Sequence, residues 1–211
     1  MSTAMKRARA PEQKAQRRAA ILKAAETCFH QVEPNLPSVS DVAAQAGVSK
    51  GTVYLYFRTK EEIFLALFSH HLNSIFGQIQ TIELSEQASN ALSSSLLEYL
   101  SAHPIFMPLA AMLHSVIESN LSLEVSLAFK LQLSQGLTHT AAVVDAKLQC
   151  PRGFSERALL HSYAALTGLW QLLQWPSALE HEQDNPQYGA LHKDFATELQ
   201  IILEKIWRPE S

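Results

Sequence analysis

The chain holds 211 residues, 47% apolar and 18% charged, which excludes a disordered, low-complexity or collagen-like polymer and allows one large domain or a small one joined to a larger. Thirty leucines and twenty-seven alanines stand against seven glycines and nine prolines, so helix formers dominate and an all-α fold is expected. The net charge of -3 is uneven: residues 1–60 carry ten bases and four acids, a net of +6, and the remaining 151 carry seven bases and sixteen acids, a net of -9, so one end is suited to a polyanion and the other to different work.

Up to Glu12 the chain is basic and without apolar periodicity, which reads as a flexible arm over residues 1–12. Helix 1 is expected from about Gln13 to Val32, because Leu22, Ala25, Phe29 and Val32 recur at helical spacing before Pro34 and Pro37 break the pattern. Ser38 and Asp41 then form a capping-box pattern for a helix over 39–46. Gly47 ends it, Ser49 caps a short third helix reaching about Phe57, and Thr59 with Glu62 repeats the box to open helix 4. Phe64, Leu67, Phe68, Leu72, Ile75 and Ile79 keep one apolar stripe along that helix. Further helices are expected at about 85–102, 105–119, 122–149, 155–179 and 188–207, some nine in all.

No apolar run approaches the ~18 residues of a membrane span, and the basic stretch Met1 to Arg18 lacks a signal-peptide core. A cytoplasmic protein without a membrane partner is expected. Cys28 and Cys150 are too few for a disulfide framework or a thiolate metal site and read as buried small hydrophobes. No metal and no cofactor are expected.

The informative segment is Val39 to Lys60, VSDVAAQAGVSKGTVYLYFRTK. Two helices crossing steeply at a sharp turn need small residues where their backbones approach. Ala43 and Gly47, four apart, supply them, and Val42, Ala46, Val48 and Val53 fall where apolar side chains lock the second helix on the first. Lys50, Gly51, Thr52, Tyr54 and Tyr56 remain on the faces that such a helix offers to a DNA major groove.

At these residues the segment resembles the DNA-binding domain of the tetracycline-repressor (TetR) family of bacterial transcription regulators. The likeness runs from about Arg17 to Leu67 and is carried by D-V-A-x-x-A-G-V-S-K-G-T-V-Y-x-Y-F and the T-K-E-E-I-F that opens helix 4. It implies a homodimer whose first three helices, within a domain of residues 13–58, dock on a palindromic operator. A larger helical domain over 59–211 would dimerise, bind a small-molecule effector and release the DNA. By position, Lys50, Gly51 and Thr52 would meet base edges and nearby phosphates, with Ser49 at the same helix start. Tyr54, and with less reason Tyr56, would add an aromatic contact, and Lys60 would hold a phosphate at the start of helix 4. Ser38 and Ser40 could donate to phosphate, although Ser38 could serve only as a cap, and the basic stretch Lys6 to Arg18 would add nonspecific attraction more than base reading.

The acidic remainder is less legible. Apolar residues on more than one side of helix 9, including Leu203 and Trp207, and the small-residue line Ala165, Gly168, Leu172 and Trp175 on helix 8 suit a dimer face. Phe106, Met107, Met112 and Trp170, with His114 and Gln174 as polar groups, suit a cavity for a small apolar or amphiphilic effector. Helix 4, shared by both domains, would transmit its binding.

Catalysis is not expected: His-Glu-x-x-His, Glu-x-x-His pairs, Gly-x-Ser-x-Gly and a glycine-rich phosphate loop are all absent, and the adjacent His70 and His71 diverge by ~100° on a helix. The expected activity is a ligand-released repressor. The alternative is an architectural or partner-binding DNA protein of the same fold without a small-molecule ligand.

Overall fold

Nine α-helices and several short turns make up residues 2–29, 36–83, 88–182 and 185–208, the part of the chain that the computed structural model describes, and no strand occurs among them. In chain order the helices are α1 (Ser2–Phe29), α2 (Val39–Gln45), α3 (Lys50–Tyr54), α4 (Lys60–Thr81), α5 (Ala88–Ala102), α6 (Phe106–Met112), α7 (Leu123–Leu148), α8 (Phe154–Leu173) and α9 (Phe195–Ile206). The all-α fold and its small head with a larger helical remainder are as expected. They divide into two compact units, the first Met1–His71 with Met112–Ser126, the second Leu72–Ala111 with Leu127–Ser211. The division between these units falls inside α4, after His71.

The first unit has a core of Ile21, Ala25 and Phe29 from α1, Val42 from α2, Val53 from α3 and Ile63, Phe64 and Phe68 from α4, each fully or almost fully buried. The rings of Phe29 and Phe64 meet at 5.7 Å. Burying such side chains contributes ~1.5–3 kcal/mol each before chain entropy is set against it. In the second unit α9 packs on both α8 and α5. Leu199, Leu203 and Trp207, one helical turn apart, turn their buried faces inward.

The structure moves several expected boundaries, each for a local reason. Helix α1 begins at Ser2, so the segment expected as an arm is helical. Ala, Arg, Lys and Met favour a helix by propensity alone, but Glu12 to Ala20 are exposed on every side, and a helix that buries nothing has no apolar period to read. The last residues expected of helix 1, and the break at Pro34, lie outside the described residues. The single helix expected over 105–119 is α6 followed by one π-helical turn, Leu113–Ile117, and a 3-10 turn, Glu118–Asn120. There Ser119 Oγ and Asn120 Nδ2 donate to the carbonyls of Ser115 and Val116, each at 2.8 Å, and so compete with regular helix pairing. Helix α8 stops at Leu173, because Trp175 precedes Pro176 and must leave helical geometry. Helix α9 starts at Phe195, where the Asp194 carboxylate accepts from the Thr197 amide at 2.8 Å.

Candidate nucleic-acid interface

Three local devices set the geometry of α2 and α3. Ser38 Oγ accepts from the Asp41 amide at 3.2 Å, and Asp41 Oδ2 accepts from the Ser38 amide at 3.0 Å and from its hydroxyl at 2.6 Å. These bonds hold the Asp41 carboxyl below the usual carboxylate range. At the other end of α2 the Val48 amide donates to Ala43 O at 3.0 Å and the Gly47 amide to Ala44 O at 3.1 Å, with Gly47 at φ +65°. This is a Schellman turn, and its left-handed residue is why glycine stands at 47. Ser49 then caps α3 by accepting from the Thr52 amide at 3.1 Å.

Helix α3 is too short to be stable alone; it is held by Val53 and by Phe57 just beyond its end, both buried. With these two facing inward, a rotation of ~100° per residue turns Tyr54 and Leu55 away from the core and Tyr56 partly back to it. Tyr54 is 45% exposed, Leu55 78%, and Tyr56 half-buried. Lys50 and Gly51 are exposed and Thr52 half-buried, and the Lys50 ammonium lies 5.9 Å from the centre of the Tyr54 ring. A cation, a hydroxyl and an aromatic edge thus share one outward patch.

The hydroxyls around this patch differ in what they can still donate. Ser38 directs its proton to Asp41 Oδ2 in this structure, as a cap does. The Ser49 and Thr52 hydroxyls share one hydrogen bond at 2.9 Å, which leaves one proton of the pair for an outside acceptor. Ser40 is exposed. Lys60 is half-buried at the start of α4, where the Glu62 amide is already held by Thr59 Oγ1 at 3.2 Å and Glu62 Oε2 accepts from the Arg58 amide at 2.8 Å. The helix end therefore offers fewer free N–H groups to an anion than its position alone implies, and more of the work falls to the Lys60 ammonium.

The other expected site residues are dispersed. Phe106 and Met107 are buried, Trp170 half-buried and Gln174 exposed, all in the second unit. Met112 is half-buried in the first unit. The His114 side chain, also there, is 96% exposed and meets Glu118 Oε2 at 3.0 Å across one turn of its own helix. A side chain that open cannot line an enclosed cavity, which corrects its placement there.

On the expected dimer face, Ala165 is half-buried, and Gly168 and Leu172 are exposed. Trp175 is half-buried between Tyr188 and His192, ring centres at 5.6 and 5.5 Å. Leu203 and Trp207 do not belong to that face. They are 1% and 4% exposed within the single chain. The Trp207 indole N–H donates to Ser162 Oγ at 3.0 Å, and its ring meets Phe154 edge-on at 6.3 Å. The stripe is core packing of α9 against its own unit.

Two features of the head lie beyond the sequence reading, which names neither Leu55 nor a partner for Arg18. Among the described residues of the head Leu55 is the most exposed large apolar side chain, and the rotation from Val53 and Phe57 is enough to find it. Arg18 lies with its guanidinium carbon 5.2 Å from the centre of the Phe57 ring, a pairing across thirty-nine residues that no local pattern announces. Among the described residues no group of three or more His, Cys, Asp or Glu comes together to hold a metal ion, and no single helix is long and apolar enough to cross a membrane.

Comparison with known proteins bears on the whole chain. Residues 21–67 match the family model described as bacterial regulatory proteins, tetR family. Residues 68–208 match that of the tetracyclin repressor-like C-terminal domain. The fatty acid metabolism regulator protein of Bacillus subtilis is 37% identical over 71 residues, 34% of this chain and 34% of the relative. The HTH-type transcriptional repressor KstR2 of Mycolicibacterium smegmatis is 33% identical over 72 residues, 34% of this chain and 35% of the relative. These matches thus span about a third of the curated relatives' length. The structure of the fatty acid degradation regulator FadR from Bacillus halodurans aligns with 92% of this chain and 97% of its own at a TM-score of 0.55 and 16% identity, a likeness of fold.

Proposed function

The chain belongs to the TetR family of bacterial transcription regulators, and from that premise we propose that it is a homodimeric repressor released from a palindromic operator by a small amphiphilic molecule. The observation that carries this reading is the outward patch of α3. Lys50 and Tyr54 are exposed, with Thr52 beside them, on a helix whose opposite side, Val53 and then Phe57, is fixed in the core. Base edges are read by side chains so presented, while phosphate contacts such as Lys60 set position.

One such head covers few base pairs, so useful specificity needs two half-sites matched to a two-fold dimer. The exposed line Gly168 and Leu172 on α8, with Ala165 beside it, is the surface we assign to the partner copy. The effector site we place in the second unit, among Phe106, Met107 and Trp170. The Bacillus subtilis relative regulates fatty acid metabolism by name, which makes compounds with an acyl chain the first class to try. Such a ligand releases DNA only through different affinities for two dimer shapes.

The test is selection of operators from random duplex DNA with the purified full chain, followed by the mass of the selected complex. An inverted repeat with half-site centres a whole number of helical turns apart, bound by two copies, is expected. No enriched sequence, or a single copy on the DNA, overturns the reading. Fatty acids and their thioesters of increasing chain length, added to the complex, then test release. Operator DNA must weaken the binding of an active compound by the same factor as that compound weakens DNA binding.

A further inference from the structure

We propose that Arg18 is a second held phosphate contact of the head, positioned by the ring of Phe57; the inference rests on the DNA-binding reading above and assigns one more residue to it. The Arg18 guanidinium lies 5.2 Å from the ring centre, and the residue is exposed on α1. Phe57 itself is 4% exposed, and its amide is tied to Val53 O at 3.0 Å. The ring is thus part of the core and stands where α3 has ended and Arg58, Thr59 and Lys60 lead into α4.

A guanidinium laid on an aromatic face is restrained in position, yet it keeps its N–H fork free at the edge of its plane, the geometry that meets phosphate oxygens in pairs. A free lysine would have to order its stem on binding. The neighbouring charges leave Arg18 suited to the task. Lys23, farther along α1, is already paired with Glu26 at 2.9 Å, and the Glu62 carboxylate accepts from the Arg58 amide at 2.8 Å. Arg18 brings a cation from α1 to the same stretch of chain at which Lys60 brings one from α4. Two cations held on different helices fix the head on the backbone more firmly than one, while reading no base.

Full-length wild type, Arg18→Met, Phe57→Leu and the double variant are titrated with one mixed-sequence DNA duplex over a potassium chloride series. Methionine keeps an apolar stem on the ring and removes the charge, so folding is preserved and checked by thermal melting. Arg18→Met is expected to make the log-log salt slope shallower by about 0.9. Its affinity then falls about 3.5-fold less than that of wild type for a fourfold rise in salt, by the same relation. Phe57→Leu is expected to weaken binding when Arg18 is present and to have no further effect in the double variant. Wild type that ignores the duplex at every salt concentration overturns the DNA-binding reading itself. Wild type that binds while Arg18→Met retains the full slope overturns the assignment of Arg18 alone. Equal losses from Phe57→Leu with and without Arg18 overturn the positioning role of the ring. Should Phe57→Leu fail to fold, Arg18→Lys serves in its place: it keeps the charge without the stack, and wild-type affinity in that variant shows that the ring holds nothing.

Discussion

The ring of Phe76 on α4 lies so close to Gly136 on α7 that a Cβ built on the glycine would stand 2.8 Å from Cε2 and 3.0 Å from Cδ2. One turn farther along both helices, Gln80 Nε2 donates to the buried Thr140 Oγ1 at 2.8 Å. Beyond that, the Lys147 ammonium donates to the carbonyls of Gln80 and Ile82 at 2.7 and 2.8 Å, two acceptors that the end of α4 leaves unpaired. The later half of α4 is thereby held on α7 in a fixed register.

Two effects of opposite sign therefore compete in Gly136→Ala. Alanine favours a helix interior over glycine by ~1 kcal/mol, but the methyl group drives a buried ring aside, and overpacking of this kind costs ~1–3 kcal/mol. The expected result is net destabilisation, measured by urea unfolding, and its reversal when Phe76→Leu is added. A stabilised single variant shows that the ring yields freely and that the register is not held there.

Gly47 is the opposite case, since nothing lies within 4 Å of the position its Cβ would take. Its φ of +65° alone penalises a side chain, by roughly 1–2 kcal/mol for alanine. Gly47→Ala should lower stability by about that amount, while Gly47→Asn, which tolerates the left-handed region, should recover most of it. Denaturant midpoints decide between this and an effect of bulk, which would make asparagine the worse of the two.

Lys60, Lys50 and Tyr54 predict two different phenotypes. Lys60→Ala removes a phosphate contact and should weaken binding to selected and random duplexes alike, with a salt slope shallower by about one unit. Lys50→Ala and Tyr54→Ala should cost ~1–3 kcal/mol on the selected operator and much less on random DNA. Competition titrations at fixed salt separate them, and equal losses on both duplexes for all three variants sink the assignment.

The head was legible because its signals are local. Ser38 and Asp41, Ser49 and Thr52, and Ala44 and Gly47 bond within a few residues, so spacing along the chain reports their geometry. Apolar period tells which side of a helix is buried but not what buries it. For that reason the sequence alone suggests a dimer face at Leu203 and Trp207, whereas they are packed inside the chain itself, where Trp207 finds Ser162 forty-five residues away. The Arg18 and Phe57 pair, and the lysine that closes the end of α4, are likewise long-range, and no periodicity carries them. Glu12 to Ala20 in α1 are illegible for the reverse reason: they are exposed, and no burial stamps an apolar period on them.

Stability should respond to pH with one sign in acid and the other in alkali. Hydrogen bonds from Ser38 and Thr197 hold the Asp41 and Asp194 carboxyls below the usual range. Burial pushes the Asp145 carboxyl up, but the Ser155 and Gly153 amides that bond it and the Arg157 guanidinium act the other way, and the net direction is again downward. A depressed folded pKa means that the unfolded chain takes up protons first as the solution is acidified. The contribution of these groups is thus complete above the ordinary carboxylate range and is lost as the pH falls through the folded values. In alkali, burial raises Cys28 and Cys150, with Asp41 and Asp145 adding smaller repulsions, so the unfolded thiols ionise first and stability declines above the ordinary thiol range. The expected profile is a plateau with an acid and an alkaline limb. Asp145→Asn separates the causes, since its amide can accept from only one of the Ser155 and Gly153 amides, now at 2.9 and 2.8 Å. That variant should lose about 1–3 kcal/mol at neutral pH and show a shallower acid limb in unfolding titrations, whereas an unchanged acid limb shows that Asp145 takes no part in the acid response.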